Sequence, residues 1–205
     1  MLRPDVAASV IGLALVGLHG GPAEAQRCRE PHYRWTQKID TALADLAPRP
    51  ASVAAMLATW TPPDLGPRDR CAARSERERE VYDISAWVRR VDKLKDDGDW
   101  HVELTERSDS PSDSCIVVEI PAPKNSLRYA RARAALDSLI GDAKVRRGGV
   151  IARPFRARVS GAAFFDGQHR RGGRRSDTID GEHGRCNASV RALWEIHPVY
   201  RVTAP

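Results

Sequence analysis

The sequence has no apolar run long enough to cross a membrane and no complete catalytic motif of the common enzyme families. The apolar run at residues 6–18 spans 13 residues, whereas a transmembrane helix needs about 20. A Gly-x-Ser-x-Gly elbow, a P-loop, a dinucleotide fingerprint and an H-E-x-x-H helix are all missing. Their absence argues against a serine hydrolase, an NTPase, a dehydrogenase and a zincin. Aromatic residues make up only 6% of the 205 residues, so the chain has material for one modest core.

The N-terminal apolar run has the layout of a secretory signal peptide. It follows Arg3 and precedes a small-x-small tripeptide, Ala-Glu-Ala at 23–25, as signal-peptidase substrates do. We therefore predict that residues 1–25 form a signal peptide and that the mature chain, starting at Gln26, is periplasmic or secreted. After cleavage no stable membrane span remains; an uncleaved N-terminal anchor is the alternative.

The cysteines and the charge fit an exported, basic protein. All four cysteines, Cys28, Cys71, Cys115 and Cys186, follow the signal peptide. An even number of cysteines in an exported chain predicts two disulfide bonds, and the lack of any C-x-x-C pair disfavours a zinc site. The chain has 33 Lys and Arg against 27 Asp and Glu, for a net charge of +6, which favours acidic partners.

Two regions follow the signal peptide. Residues 26–79 are rich in Ala, Pro and Arg, with short helices predicted at 35–46 and 51–60, and we interpret them as a helical, Pro-rich extension packed on the main domain. In the main domain, residues 80–205, a helix opened by Asn125 and ended by Gly141 is predicted. The patterns also predict five strands there: Val81–Val91, Trp100–Thr105, Ile116–Ile120, Arg156–Phe165 and Ala192–Val202.

This β-β-β-α-β-β order, with one helix between the third and fourth strands, resembles the OB-fold, a five-stranded Greek-key barrel. The fold class is therefore mainly β, and a four-stranded sheet with a helix on one face is the competing architecture. The resemblance implies that the third and fifth strands lie side by side and parallel. Their entries would bring Cys115 next to Cys186. That pairing leaves Cys28 to pair with Cys71.

Two C-terminal phrases carry a second resemblance. The stretch FFD-x-x-H, ending at His169, and the ending Glu-x-His-Pro-Val, starting at Glu195, are similar to phrases in a group of uncharacterised exported bacterial proteins. The resemblance spans about residues 81–203 and implies no activity.

Strand alternation in the assumed barrel gathers polar residues on one outer face. The members of this outer-face cluster come from the second, third and fifth strands: His101, Glu103, Glu119, Glu195 and His197. We favour solvated cross-strand pairing for them. The alternative is a divalent metal ion held by His101, Glu119, Glu195 and His197, or acid–base chemistry, with His169 or Asp166 assisting.

The loop before the fifth strand predicts a mobile cationic arm suited to phosphate or sulfate oxygens. It contains Arg170, Arg171, Arg174 and Arg175 among glycines. His169 and His183 in this loop are interpreted as exposed bystanders, with membership of a metal site as the alternative. Asp166 is interpreted as a turn cap, with a chemical role as the alternative. On the first strand, Trp87 can either stack a base or sugar or cover the extension.

Three functional hypotheses follow. The first is an exported, disulfide-stapled, OB-like binding module that holds a polyanionic ligand (nucleic acid, an acidic glycan or an envelope component) and needs no cofactor. The second is a small metal-dependent hydrolase, phosphodiesterase-like, that uses the His and Glu residues of the outer-face cluster and a divalent metal. The third is a structural envelope protein without a ligand.

Overall fold

The computed structural model describes residues 28–93, 96–141, 143, 145–172, 177–180 and 183–205. The predicted signal peptide lies outside these residues. The described chain is mainly β, as predicted, with one six-stranded sheet and three α-helices. The strands are β1 Arg49–Ala51, β2 Val81–Asp92, β3 Trp100–Thr105, β4 Cys115–Ile120, β5 Val150–Phe165 and β6 Trp194–Thr203. The helices are α1 Trp35–Lys38, α2 Val53–Thr59 and α3 Leu127–Ile140.

The main domain follows the predicted element order, whereas the extension differs from its prediction. The first predicted helix, 35–46, is helical only over α1. The strand β1 was not predicted, because three residues that include Pro50 show no period. Helix α3 begins after Ser126 and not after Asn125, since the Ser126 hydroxyl accepts a hydrogen bond from the backbone N–H of Arg128.

The sheet has the strand order β1-β2-β3-β4-β6-β5, with an additional pairing between β2 and β5. The strands β2, β3, β4, β6 and β5 therefore pair in a closed circuit, in which β4 and β6 are parallel and the other neighbours antiparallel. The strand β1 adds to β2 in parallel. The extension thus contributes a strand to the same sheet as the main domain.

The alternate residues of the strands form one hydrophobic core. On β3 and β4 the core is lined by Val102, Leu104, Ile116, Val118 and Ile120, each at most 1% exposed. Tyr129, Ala132 and Leu136 of α3 belong to the same cluster. Burying an aliphatic or aromatic side chain of this size contributes about 1.5–3 kcal/mol. The other face of β3 and β4 is the one that positions the polar residues described below.

Both predicted disulfide pairings are confirmed. Cys115 is joined to Cys186, and Cys28 to Cys71, with Cα atoms 4.8 and 5.7 Å apart respectively. The first bond ties the entry of β4 to the loop before β6, and the second closes a loop of the extension.

A buried ion pair fixes the extension against the end of β5. The Arg34 guanidinium, in a left-handed backbone conformation (φ 48°), donates to Glu78 Oε1 at 2.6 Å and to Oε2 at 2.8 Å. Neither side chain is exposed. Arg34 also donates to the Phe165 carbonyl at 3.3 Å. The segment that follows Arg34 is thereby positioned over the outer face of the sheet.

No helix of the described residues has the length and apolar character needed to span a membrane.

Candidate functional site

The outer-face cluster is buried, so the interpretation of it as a solvated face is wrong. Its five members, His101, Glu103, Glu119, Glu195 and His197, are exposed by 2%, 1%, 7%, 1% and 0% respectively. Strand register brings them together, because His101 pairs with Glu119 across β3 and β4 and Glu195 pairs with Val117 across β6 and β4. Strand alternation therefore predicted which residues share the face but not whether the face reaches solvent.

Two segments cover this face. From the extension, Lys38 lies with Nζ 4.0 Å from Glu119 Oε2 and 3.7 Å from Asp166 Oδ2. From the other side, the loop at 183–186 packs directly on β3. Gly184 has a positive φ of 63°, and a Cβ there would lie 2.8 Å from Glu103 Oε1. Only glycine therefore permits this close approach.

Glu103 is neutralised within the cluster by two arginines. Its carboxylate accepts from Arg90 Nη1 at 2.9 Å and from Arg185 Nε at 2.8 Å. Burial would raise the pKa of Glu103, but the nearby His101 ring, at 3.8 Å, and the hydrogen bonds from Arg90 and Arg185 outweigh it and lower the pKa to about 2. We assign Glu103 a structural role, because its charge is fully balanced.

His197 connects three of the carboxylates. Its Nε2 lies 3.1 Å from Asp99 Oδ2, and its Nδ1 lies 3.2 Å from both Glu119 Oε2 and Glu195 Oε2. Burial alone would lower the pKa of His197, but the contacts with Asp99, Glu119 and Glu195 raise it well above the ordinary value. The contacts of its Nδ1 therefore link Glu119 to Glu195, and the raised pKa favours the protonated form of the ring.

Two histidines of the loop before β6 each place Nε2 near a carboxylate of the cavity and Nδ1 near a partner outside it. His183 places Nε2 2.8 Å from Glu195 Oε1, while its Nδ1 lies 3.4 Å from the Cys186 carbonyl oxygen. His169 places Nε2 3.7 Å from Asp166 Oδ2, while its Nδ1 lies 3.0 Å from Asp180 Oδ1. The two rings are 5.3 Å apart between centroids.

These groups surround a cavity of about 270 Å³. Its walls carry the side chains of eleven described residues: His32, Lys38, Asp96, Asp97, His101, Glu119, Asp166, Gln168, His169, His183 and Glu195. Five are carboxylates and one is a lysine. The cavity is smaller than the roughly 300–1,000 Å³ of sites for drug-sized molecules, so it accommodates a small group or an ion.

Two of the five carboxylates on the cavity wall, Glu119 and Glu195, have lowered pKa values despite their burial. Burial and the charge of Glu119 would raise the pKa of Glu195, but the hydrogen bonds with His183 and His197 lower it to about 2. For Glu119, burial is likewise outweighed by the hydrogen bonds with His101 and His197, and the pKa lies well below the ordinary range. These two carboxylates therefore favour the ionised form, whereas burial and the charge of Asp99 raise the pKa of Asp97 on the same wall.

The arginines of the predicted cationic arm differ in their exposure. Arg170 is only 7% exposed and donates to the Pro63 and Leu65 carbonyl oxygens at 3.0 and 3.1 Å. It therefore holds the extension rather than facing solvent. Arg171 is exposed, and Arg174 and Arg175 lie outside the described residues.

Trp87 and Asp166 take different positions relative to the cavity. Trp87 is partly buried and pairs with Thr105, four residues along β3 from His101, which is about 13 Å of strand. Asp166 caps its turn, as predicted, by accepting from the Gln168 backbone N–H at 3.0 Å. The Asp166 side chain also lines the cavity, a position that the sequence offered only as the lesser alternative.

Sequence reasoning missed two members of the site and placed a third, His183, in it only as the lesser alternative. Lys38 belongs to the extension, which was treated as packing alone, and Asp99 was taken only as part of a turn. His183 was taken as an exposed bystander, although it is 3% exposed. The spacing of His183 from Cys186 was the available signal, because the disulfide to Cys115 draws this loop onto the outer face.

Comparison of the chain with protein-family models, with curated proteins and with solved structures gives no match in any of the three.

Proposed function

We propose that the cavity binds a divalent metal ion through Asp166, His169, His183 and Glu195, and that the protein is a metal-dependent hydrolase of phosphoesters. One observation carries this proposal. Donor atoms of Asp166, His183 and Glu195 lie within 4.8 Å of one another on buried side chains. An ion bonded to all three at about 2.0–2.2 Å needs its donors no more than about 4.4 Å apart, so small side-chain movements would close the set around it.

The histidines support this donor set through their outer partners. Metal-ligating histidines usually bond their second ring nitrogen to a carboxylate or a backbone carbonyl, which fixes the tautomer and the ring orientation. Asp180 takes this place for His169, at 3.0 Å, and the Cys186 carbonyl oxygen takes it for His183, at 3.4 Å. Two imidazoles with two carboxylates suit Zn²⁺, Mn²⁺ or Fe²⁺ better than Ca²⁺ or Mg²⁺.

The charge of the site favours a cation over an anion as the first occupant. Four carboxylates around the cavity are at most 7% exposed: Asp99, Glu119, Asp166 and Glu195. Lys38 is the one lysine or arginine on the described cavity wall. The carboxylates also raise the pKa values of His183 and His197, so that protons on these histidines supply further counter-charge. A divalent ion would take over part of this role as the proton of His183 leaves. A polyanionic ligand would be repelled by the carboxylates, so the cavity itself supports the hydrolase rather than the binding module.

The chemistry assigned to the ion is activation of a water molecule, whose pKa a bound divalent ion lowers. In phosphoester hydrolysis the water oxygen forms the new P–O bond and the P–O bond to the leaving group breaks. The water proton passes to the hydrogen-bonded pair His101 and Glu119, on the same cavity wall and 3.1 Å apart between Nδ1 and Oε1. It then ends on the leaving oxygen, which balances the reaction.

The proposal places this site on an OB-like barrel in an exported protein. The circuit of five paired strands, the parallel pairing of β4 with β6 and the position of α3 between β4 and β5 support the barrel. Two disulfides support a periplasmic or secreted location. The two phrases that resemble exported bacterial proteins supply Asp166, His169 and Glu195, so we extend the proposed metal site to that group.

Metal titration of the mature protein tests the proposal. After chelation and dialysis, isothermal titration calorimetry with MnCl2 and ZnCl2 should show one ion per chain at the proposed donor set. His183→Gln should weaken binding by about 10- to 100-fold or more, since loss of even an outer partner has an effect of that size. Hydrolysis of bis(4-nitrophenyl) phosphate should require the ion and should be lost in the same variant.

His32→Gln is the matched control. His32 lies on the cavity wall outside the donor set, where its ring stacks on Trp35 at 5.1 Å. This variant should bind metal as the wild type does. A wild-type protein that takes up no ion, or a His183→Gln variant with unchanged affinity, would show that the proposed site is not a metal site.

A further inference from the structure

Lys38 is a buried cation whose hydrogen-bonding capacity is not used within the described part of the chain. The residue is 6% exposed, and its Nζ forms ion pairs at 3.7 Å with Asp166 and at 4.0 Å with Glu119. Both separations exceed the 2.7–2.9 Å or so of a charge-assisted N–H···O bond. The ammonium group therefore faces the cavity with its N–H groups available to another acceptor.

The extension is built to hold this side chain at the cavity. The disulfide between Cys28 and Cys71 and the ion pair between Arg34 and Glu78 fix the segment that precedes Lys38 at two points, Cys28 and Arg34. Lys38 follows one turn later and donates its backbone N–H to the Arg34 carbonyl at 3.1 Å. Its ammonium also lies 5.4 Å from the centre of the Phe164 ring, so the stem is packed against an aromatic side chain.

A purely structural counterion would be bonded more closely. Elsewhere in this chain, buried or partly buried carboxylates are met by arginines at hydrogen-bond distance, 2.6 Å for Arg34 with Glu78 and 2.8 Å for Arg185 with Glu103. Lys38 instead stands between two carboxylates without bonding either. A lysine is also a compact point charge with three donors, suited to a phosphoryl oxygen.

We propose that Lys38 Nζ binds a non-bridging oxygen of a phosphoryl group seated in the cavity, which makes Lys38 a catalytic residue and an anionic phosphoester the substrate class. This inference rests on the proposed function. Lys38 is the lysine or arginine that the described cavity wall provides, whereas Asp166, His183 and Glu195 meet the metal ion. The lysine and the ion would hold the phosphoryl oxygens from two sides, as cationic clamps do in phosphoryl transfer.

Inorganic phosphate is the probe that tests Lys38. Isothermal titration calorimetry is performed on the mature chain saturated with Mn²⁺, for the wild type and for Lys38→Met, Lys38→Arg and Lys124→Met. Lys38→Met should lose about 10- to 100-fold in phosphate affinity, the effect of a hydrogen bond to a charged group. Lys38→Arg should retain most of it. Lys124→Met, at an exposed site, should bind phosphate as the wild type does.

The affinity for Mn²⁺ separates this inference from the proposed function. Removing a positive charge beside Asp166 should leave Mn²⁺ binding unchanged or make it tighter, in the same variant that loses phosphate. Lys38→Met that binds both Mn²⁺ and phosphate normally would overturn the role of Lys38 and leave the metal site standing. A wild type that binds no Mn²⁺ would overturn the proposed function. Phosphate binding by the metal-free wild type, lost in Lys38→Met, would then still support the role of Lys38, and its absence would overturn that role as well.

A measurement on the wild-type protein covers the case in which Lys38→Met fails to fold. The Nζ resonances of 15N-labelled lysines are recorded by NMR in the Zn²⁺-loaded wild type, with and without phosphate. Phosphate should shift the resonance of Lys38 and leave that of Lys124 unaffected. A Lys38 resonance that does not move at saturating phosphate would contradict the proposal.

Discussion

Replacement of Glu78 by glutamine tests whether the buried ion pair fixes the extension. In the wild type, both Glu78 oxygens accept from Arg34, at 2.6 and 2.8 Å, and they also accept the backbone N–H groups of Phe165 and Ser75 at 2.9 and 2.8 Å. Glu78→Gln keeps the shape but places an NH2 group against donors. It also leaves the Arg34 charge buried without a partner.

The expected loss follows from the full burial of both partners. Removing one member of a buried ion pair destabilises a protein by about 3–5 kcal/mol. For a chain of this length each kcal/mol corresponds to about 2–4 °C, so the melting temperature should fall by about 6–20 °C. Urea unfolding followed by circular dichroism measures the change in the free energy of unfolding, and Glu76→Gln, an exposed neighbour, should change it by less than about 0.5 kcal/mol.

The pH dependence gives the same test a second readout. Burial would raise the pKa of Glu78, but the hydrogen bond and charge of Arg34 outweigh it and lower the pKa below 4.5. The stabilisation is therefore complete above the unfolded pKa and is lost as the pH falls through the folded pKa. The difference between wild type and variant should shrink in acid. A Glu78→Gln protein within 1 kcal/mol or so of the wild type at pH 7 would refute the reasoning.

Two further predictions concern the sheet. Gly161→Ala should destabilise the protein by about 1–3 kcal/mol or more in urea unfolding, because a Cβ there would lie 2.4 Å from the Pro198 carbonyl oxygen and 2.6 Å from Ile196 Cγ2; a variant as stable as the wild type would contradict this packing. Glu103→Gln should lower the free energy of unfolding by about 3 kcal/mol at pH 7, since the pKa of Glu103 is lowered from 4.5 to about 2. That difference should decrease as the pH falls from 4.5 toward 2, and a constant difference would show that the charge of Glu103 is not responsible.

The strands of the main domain were predictable because they depend on local periodicity, whereas the cysteine pairing followed from the resemblance of the element order to the OB-fold. Alternation placed β3 at Trp100–Thr105, as the structure has it, and the element order brought Cys115 next to Cys186. Periodicity acts within one strand and states which residues share a face. Combined with the strand order of the assumed barrel, this periodicity also predicted that His101, Glu119 and Glu195 would meet.

The covering of that face was not predictable in the same way. Burial of the second face of a sheet depends on a segment far away in the chain, here the extension with Lys38 and the loop with Gly184. The extension has too weak a hydrophobic period to indicate what it packs on, and its contacts with the cavity are polar. Charged and histidine residues at outward positions of a strand predict a solvated face. That prediction was wrong for the outer-face cluster, which is buried.

The balance of charge distinguishes the cavity from the other buried polar groups of the chain. Glu78 is matched by Arg34 and Glu103 by Arg90 and Arg185, so these buried carboxylates are neutralised by guanidinium groups at hydrogen-bond distance. The carboxylates around His197 are bridged by histidines instead, and Lys38 is the one permanently charged cation among the described groups on the cavity wall.

The chain has 33 lysines and arginines, so its composition does not limit the number of cationic side chains at the cavity. Arginines at the cavity would have stabilised the fold as they do around Glu78 and Glu103. On the cavity wall and around His197, the described counter-charges are instead Lys38 and two histidines with raised pKa values, His183 and His197. A histidine, unlike an arginine, can give up its proton when a metal ion binds. The proposed metal site requires an exchange of this kind.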